Sequence, residues 1–455
     1  MVAAIALVSA CQAQAPAVTE SSAPAGSPTA RPTIEPTALP TLEPTASPSL
    51  RPTAALPTDE RSEGWRSDLE RLITAREEIH PDPWFGIDRG EYVAAVEAVA
   101  ARVGQLSDDE LLVETVRLAA MPTWNGRDGH GGIFAWSEGD GITVYPLRMY
   151  WFSDGLFVVD AMPPNENLVG LRVTSIGGHP VDAVRTVVDD LIPRDNHQQL
   201  LSQSPRLMIA PAILHGLGLI DQREGEVDFE LSGERGDRSV SLAPVPIEQY
   251  RSLAGGHHVL SPPGRVNGAR WLRNLERSAW WELDRSSATA YVGYNRVDYQ
   301  SQAIASEIAD ALDAGDIERL IIDLRHNPGG DNTTYGALLS VVRRAAEELP
   351  GGVYVAIGRV TFSAAGNFAT DIEATTDATF VGEDMGSSPN LYGDVRVLHL
   401  PHSGLTLRVA TRYWMKSDAD DPRVTIEPDI EAMLTSTDYF GDRDPVIEAI
   451  RVNAE

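Results

Sequence analysis

The sequence predicts an α/β protein, with a mixed, mostly parallel sheet flanked by helices over residues 286–455. A helical subdomain (63–122) and a strand-rich region with a PDZ-like segment (123–285) precede it. Three observations predict this. Residues 288–455 alternate strand and helix patterns, which implies βαβ crossovers. Residues 64–120 carry apolar side chains at helical spacing. Residues 132–250 break into short alternating runs separated by Gly, Pro and Asn.

The amino-terminal 62 residues stand apart from all three. Residues 2–10 (VAAIALVSA) are apolar but too short for the ~20 residues that span a bilayer. They run through Ser9 and Ala10 into Cys11, the only cysteine, and read as an export signal ending at a lipid-attachment site, although no positive segment comes first. The alternative, a buried strand with a core cysteine, fits poorly with the proline-rich stretch after it. Prolines recur at 24, 28, 32, 36, 40, 44, 48 and 52, and the Thr, Ser and Ala between them supply little to bury. Residues 12–62 are therefore expected to form an extended tether of about 3 Å per residue, holding a soluble domain away from a membrane.

The globular part begins with helices. Trp65, Leu69, Leu72 and Ile73, then Tyr92, Val96, Val99 and Val103, then Leu111, Leu112, Val116 and Leu118 mark three of them, broken by the turn at His80-Pro81-Asp82-Pro83. Ile142–Tyr145 and Gly155–Asp160 read as strands. After residue 288 come strand TAYVGYN, a helix near 301–314, strand ERLIIDLR, a helix from about 334, strand GVYVAIG and a helix after Ser363.

Composition excludes several functions. The formal net charge is −29, with 66 acidic against 37 basic residues, so the surface repels phosphate backbones and nucleic-acid binding is disfavoured. One cysteine rules out a disulfide framework, and Lys416, the only lysine, rules out most lysine-base mechanisms.

The chemistry is carried by three segments. Strand Leu320–Arg325 ends in His326-Asn327-Pro328-Gly329-Gly330-Asp331-Asn332, where adjacent glycines can turn backbone N–H groups into a crevice. Neither a P-loop nor a G-x-G-x-x-G pattern is present, so an oxyanion nest fits better than a phosphate site. Ser363 lies where a strand hands over to a helix amino terminus. It reads either as an activated nucleophile or as a plain N-cap, and Thr361 and Ala365 exclude the G-x-S-x-G elbow. His130, in Asn125-Gly-Arg-Asp-Gly-His-Gly-Gly, is the histidine best placed in a polar, glycine-rich loop to serve as a base. His257-His258 has no acidic partner at metal-ligand spacing and reads as surface loop.

Together these segments resemble the tail-specific (C-terminal processing) serine protease family, in its His-dependent tricorn-like and interphotoreceptor-retinoid-binding-like branch. The resemblance covers most of 64–455 and rests on Asp128-Gly-His130-Gly, IIDLRHNPGGDN, GRVTFSAAGNFATDIE, FVGEDMGSSPNLYGD, LPHSGL, Glu427-Pro428-Asp429-Ile430 and DYFGDRDPVIEAI. It implies a crotonase-like protease core with no metal or organic cofactor and a polypeptide substrate. Ser363 would be the nucleophile, His130 its base, and the amides of Gly329 or Gly330 with that of Ala364 the oxyanion hole. Relatives with a Ser–Lys pair carry the lysine roughly 25 residues after the serine. That region here, Glu383–Ser388, holds none, and Lys416 is 53 positions downstream. The His branch normally places a Ser before the His and a Glu downstream as orienters. This chain has Gly129 at the first position and Asp418, Asp420 or Asp421 where the acid falls, so either one of those aspartates or a group such as Asn332 orients the ring, or activity is low. Residues 168–184 resemble the carboxylate-binding stretch of a PDZ domain and otherwise read as a hairpin. The rival to an enzyme is a binding module for a peptide or apolar ligand on the same fold; an envelope scaffold using the PDZ-like stretch is a third reading.

Overall fold

The computed structural model describes residues 59–134, 142–234, 236–253, 260 and 269–453. Cys11, the apolar stretch before it, the tether up to residue 58 and His257-His258 lie outside the described residues.

Three helices open the described chain, Glu60–Ile79, Arg89–Ala100 and Asp108–Ala120. Each start is fixed by a side chain that accepts a free first-turn amide: Asp59 from Ser62, Asp88 from Glu91, and Ser107 from Glu110 in a capping box. The apolar positions pack together around Leu69, Tyr92, Val103 and Leu111.

The middle region is a five-stranded antiparallel sheet in the order Leu147–Phe152, Gly155–Ala161, Arg172–Ile176, Val227–Ser232, Arg238–Leu242. The region also contains helices that the sequence reading did not name, Val181–Asp189, His197–Leu207 and Pro211–Gly216. They escape a periodicity search because His197–Leu207 carries two glutamines near its start and Pro205 inside it, while Pro211–Gly216 spans only six residues. In the PDZ-like stretch, Arg172–Ile176 turns through Gly177 and Gly178, both at positive φ, into a short return arm at His179–Pro180 that opens the first of these helices.

The carboxyl-terminal sheet has six strands in the order Ala279–Asp284, Thr289–Tyr294, Arg319–Asp323, Val353–Ile357, Thr379–Gly382, Ile430–Glu431. The first pair is antiparallel and every other pair parallel. Alternate residues of Arg319–Asp323 serve opposite cores. Leu320 and Ile322 pack with Ile308, Leu338, Val342 and Phe368 of the crossover helices, and Ile321 packs with Val446 and Ile450 of the final helix, Pro445–Asn453. Burial on both faces is what an unbroken apolar strand predicts.

One hairpin leaves this domain. Asn390–His399 and Thr406–Met415 pair antiparallel, and the second strand adds Gly132–Ile133 in the register Gly132↔Arg408, Ile133↔Leu407. Leu400, Leu407 and Val409 join the amino-terminal core. The strand just after His130 is thereby sewn to the half of the chain that contains Ser363. Among the described residues no helix is long and apolar enough to cross a membrane.

Candidate active site

Ser363 ends the loop that leaves Val353–Ile357 and precedes helix Ala364–Glu373. Its backbone sits at φ 56°, ψ −125°, a region that costs a non-glycine residue on the order of 1–3 kcal/mol. Neighbouring hydrogen bonds hold it there. Ser363 N–H donates to Ser387 Oγ at 3.2 Å, Phe362 N–H to the Asn327 carbonyl at 3.1 Å, and Asn367 N–H to the Ser363 carbonyl at 2.9 Å. The side chain makes no cap bond to its helix, so the N-cap reading does not hold. Its Oγ instead lies 2.9 Å from His130 Nε2, across 233 residues of sequence.

The His130 ring stacks on Phe362, with centroids 4.3 Å apart and planes at 27°. Burial pushes its pKa down to about 4, with Asp128 opposing, so the ring is neutral near pH 7. Among the described residues the buried Nδ1 has no hydrogen-bond partner, while the Tyr392 backbone favours the charged ring. The tautomer with its proton on Nδ1 leaves Nε2 free to accept the Ser363 hydroxyl.

The loop that presents His130 is tied down from below. Gly131 N–H donates to Asp128 Oδ1 at 3.0 Å, and Asp128 Oδ2 lies 3.3 Å from His80 Nε2 and 3.5 Å from Arg76 Nη1, all within the protein interior. Tyr392 N–H donates to the Arg127 carbonyl at 2.7 Å, which fastens the same loop to the late hairpin.

The two glycines separate in role. Gly329, at φ 103°, abuts the serine so closely that a Cβ there would stand 2.7 Å from Ser363 Cβ. Its N–H, however, donates to Asn327 Oδ1 at 3.0 Å, so the expectation that Gly329 supplies an oxyanion donor is corrected. Among the described residues neither Gly330 N–H nor Ala364 N–H has an acceptor, and they belong to the residues directly after Gly329 and Ser363, which abut each other.

The expected orienting acids do not reach the ring. Asp421 is buried against Arg423 and Ser417, which hold its carboxyl well below the usual carboxylate range, and only its backbone carbonyl turns toward the site, accepting from Arg127 Nη2 at 2.6 Å. Asp420 is exposed and does not bond to His130, Asp418 offers a carbonyl to Asn390 Nδ2, and Asn332 Oδ1 accepts from Asn367 Nδ2. Lys416 is spent on Asp371 and the Tyr335 hydroxyl, each at 2.8 Å. Among the described residues no three His, Cys, Asp or Glu side chains cluster closely enough to hold a metal ion.

A cavity of about 350 Å³ opens beside the pair, lined by His130, Phe362, Met149, Tyr150 and Trp271 among others. Its wall includes a buried ion pair. Arg359 Nε and Nη2 donate to Glu383 at 2.9 and 2.8 Å, Nη1 donates to the Trp151 carbonyl at 2.7 Å, and the guanidinium lies 4.6 Å from the Tyr150 ring centroid.

No protein-family model matches the chain, and no curated protein matches it by sequence. Solved structures do. Mature CPAF complexed with lactacystin superposes with a TM-score of 0.56 at 14% identity, covering 86% of this chain and 98% of that one. Mature CPAF on its own gives 0.55 at 14% identity, over 86% and 97%. The chain has the CPAF fold. A photosystem II D1 C-terminal processing protease aligns over 86% of this chain and 97% of its own at 13% identity, with a TM-score of 0.39.

Proposed function

We propose that this chain is a serine endopeptidase, exported and held to a membrane through lipidated Cys11, that cleaves extended polypeptides or their C-terminal tails. The observation that carries the reading is the 2.9 Å contact between His130 Nε2 and Ser363 Oγ, on a nucleophile with a strained backbone. Ser363 Oγ attacks the scissile carbonyl as its proton passes to Nε2. The N–H groups of Gly330 and Ala364 receive the oxyanion; each such donor is worth about 2.7–4 kcal/mol of transition-state stabilisation. His130 then protonates the leaving amine, and the acyl-enzyme is hydrolysed when the same ring takes a proton from water. As the ring becomes charged, Asp128 and Asp394 stabilise it electrostatically, in place of a hydrogen-bonded acid.

The test is cleavage of an unfolded polypeptide by the purified full chain and by Ser363→Ala. Peptide products from the first and none from the second are expected; equal cleavage by both rejects Ser363. For the anchor, Cys11→Ser should release the chain from membranes, and retention would reject lipidation. A binding module for a peptide or apolar ligand is favoured by one observation, that among the described residues no acid bonds His130 Nδ1. Saturable peptide binding without turnover would select it.

A further inference from the structure

Asp195 lies outside every motif of the sequence, at the end of the segment that enters helix His197–Leu207. It is 0% exposed, and its carboxylate touches both halves of the site. Oδ1 accepts the N–H of Gly129, the residue before His130, at 2.6 Å. Oδ2 accepts the Ser388 N–H at 2.9 Å and the Ser387 hydroxyl at 3.3 Å, and Ser387 Oγ is the acceptor for Ser363 N–H. Each reacting side chain is thus one residue or one hydroxyl away from the same carboxylate. The backbone of Asp195 is also fixed, with its N–H given to Gln199 Oε1 and its carbonyl accepting from Arg127 N–H at 3.2 Å. Gly129 fits this arrangement because a side chain there would overlap the Gln199 amide.

We propose that Asp195 is the positioning residue of the site, holding the loop of the base in register with the support of the nucleophile. The inference rests on the reading of Ser363 and His130 as the reacting pair. A buried carboxylate with three donors makes charge-assisted bonds, stronger than neutral ones. Among the described residues His130 Nδ1 has no hydrogen-bond partner, so Asp195 is the carboxylate that bonds both the loop of the base and the support of the nucleophile. Asparagine at 195 keeps the shape but cannot serve every donor, since one of its two positions becomes an NH₂ group facing a backbone N–H.

The carboxyl is also placed to titrate near neutrality. Burial pushes its pKa up to about 7, assisted by Asp128, while the Ser388 and Gly129 amides and the Ser387 hydroxyl pull it down. Of the elements packed on it, the 126–131 loop brings Asp128, His130 and the backbone of Arg127, whose guanidinium bonds the Asp421 carbonyl. The helix after it brings Gln199, and the 385–388 segment only serines. Burial lowers the His130 ring and raises the Asp195 carboxyl, so a limb near pH 7 is expected from Asp195, which bonds the supports of both reacting groups, rather than from the base.

The experiment measures acylation of Ser363 by a fluorophosphonate between pH 5 and 9 in the full chain, in Asp195→Asn and in Ser387→Ala, with urea denaturation of each. The wild type should react faster as pH rises through 7. Asp195→Asn should lose that limb and react at least about 10-fold more slowly at pH 8, with probe affinity changed by less than about twofold. Ser387→Ala keeps both amide bonds to the carboxylate, and should retain the limb while slowing by a smaller factor. An Asp195→Asn chain that reacts at the wild-type rate, or that loses rate only as it loses stability with the pH profile unchanged, overturns the role. Should Asp195→Asn fail to fold, a Ser387→Ala chain of wild-type rate overturns it instead. A wild-type chain inert at every pH overturns the peptidase reading itself, an outcome separate from either.

Discussion

Replacing Gly329 by alanine separates two costs that the Gly-Gly turn carries. The first is backbone strain: at φ 103° a residue with a Cβ loses on the order of 1–3 kcal/mol. The second is contact with the nucleophile. The new Cβ would stand 2.7 Å from Ser363 Cβ, 2.8 Å from the Phe362 carbonyl oxygen and 2.9 Å from Ala364 N, where carbon atoms rest at roughly 3.5–4.0 Å. Relief requires Ser363 and the start of its helix to retreat by about 1 Å, a displacement that costs on the order of 100-fold in rate. Gly178→Ala is the control, since Gly178 also has positive φ (80°) but nothing within 4 Å of the added atom. Gly178→Ala should lose about 1–3 kcal/mol in urea denaturation, and Gly329→Ala that much plus the cost of the overlap. Only Gly329→Ala should lose about 100-fold in fluorophosphonate acylation. A folded Gly329→Ala protein that acylates as fast as Gly178→Ala would refute the claim that this turn sets the position of the serine.

Three further outcomes are expected. The folded chain refuses a proton on His130 between about pH 4 and 6.5 that the unfolded chain accepts, so acidification through that window removes stability. His130→Asn should therefore lose less urea stability between pH 7.5 and 5 than the wild type does, and an equal loss would deny the buried, neutral ring. Glu383→Gln strands the buried Arg359 guanidinium and should cost about 3–5 kcal/mol, partly recovered in the Arg359→Met/Glu383→Leu double variant; no loss in calorimetry would contradict the pairing. Asp421→Asn should weaken the fold at pH 7, because its lowered carboxyl contributes stability that is present above the unfolded pKa and vanishes in acid. It should leave the acylation rate within about twofold, and a larger drop would restore Asp421 as an orienting acid.

The strands and helices between about 288 and 373 were legible as apolar runs with one period, as in Leu320–Arg325 before Pro328-Gly329-Gly330, whereas the hairpin and the last strand and helix were not read. Ser363 was legible as a serine where a strand hands over to a helix, and His130 as an imidazole in a glycine-rich loop. Their meeting was not, since it depends on the Asn390–Met415 hairpin adding the strand after His130 to its edge, a pairing that no local pattern encodes. Gly329 was recognisable as a turn residue, but only the side chain of Asn327 reveals that its amide is already taken. Asp195 left no signal at all. Its partners lie 66 and 193 residues away, and an aspartate before a helix ordinarily reads as a cap.

That the imidazole at position 130 makes the hydroxyl at 363 a nucleophile is tested most directly by peptide-mapping mass spectrometry of the fluorophosphonate-treated full chain. A single adduct on Ser363 is expected, lost in His130→Ala while that variant stays folded. An adduct on another serine, or one on Ser363 that forms undiminished without His130, would contradict it.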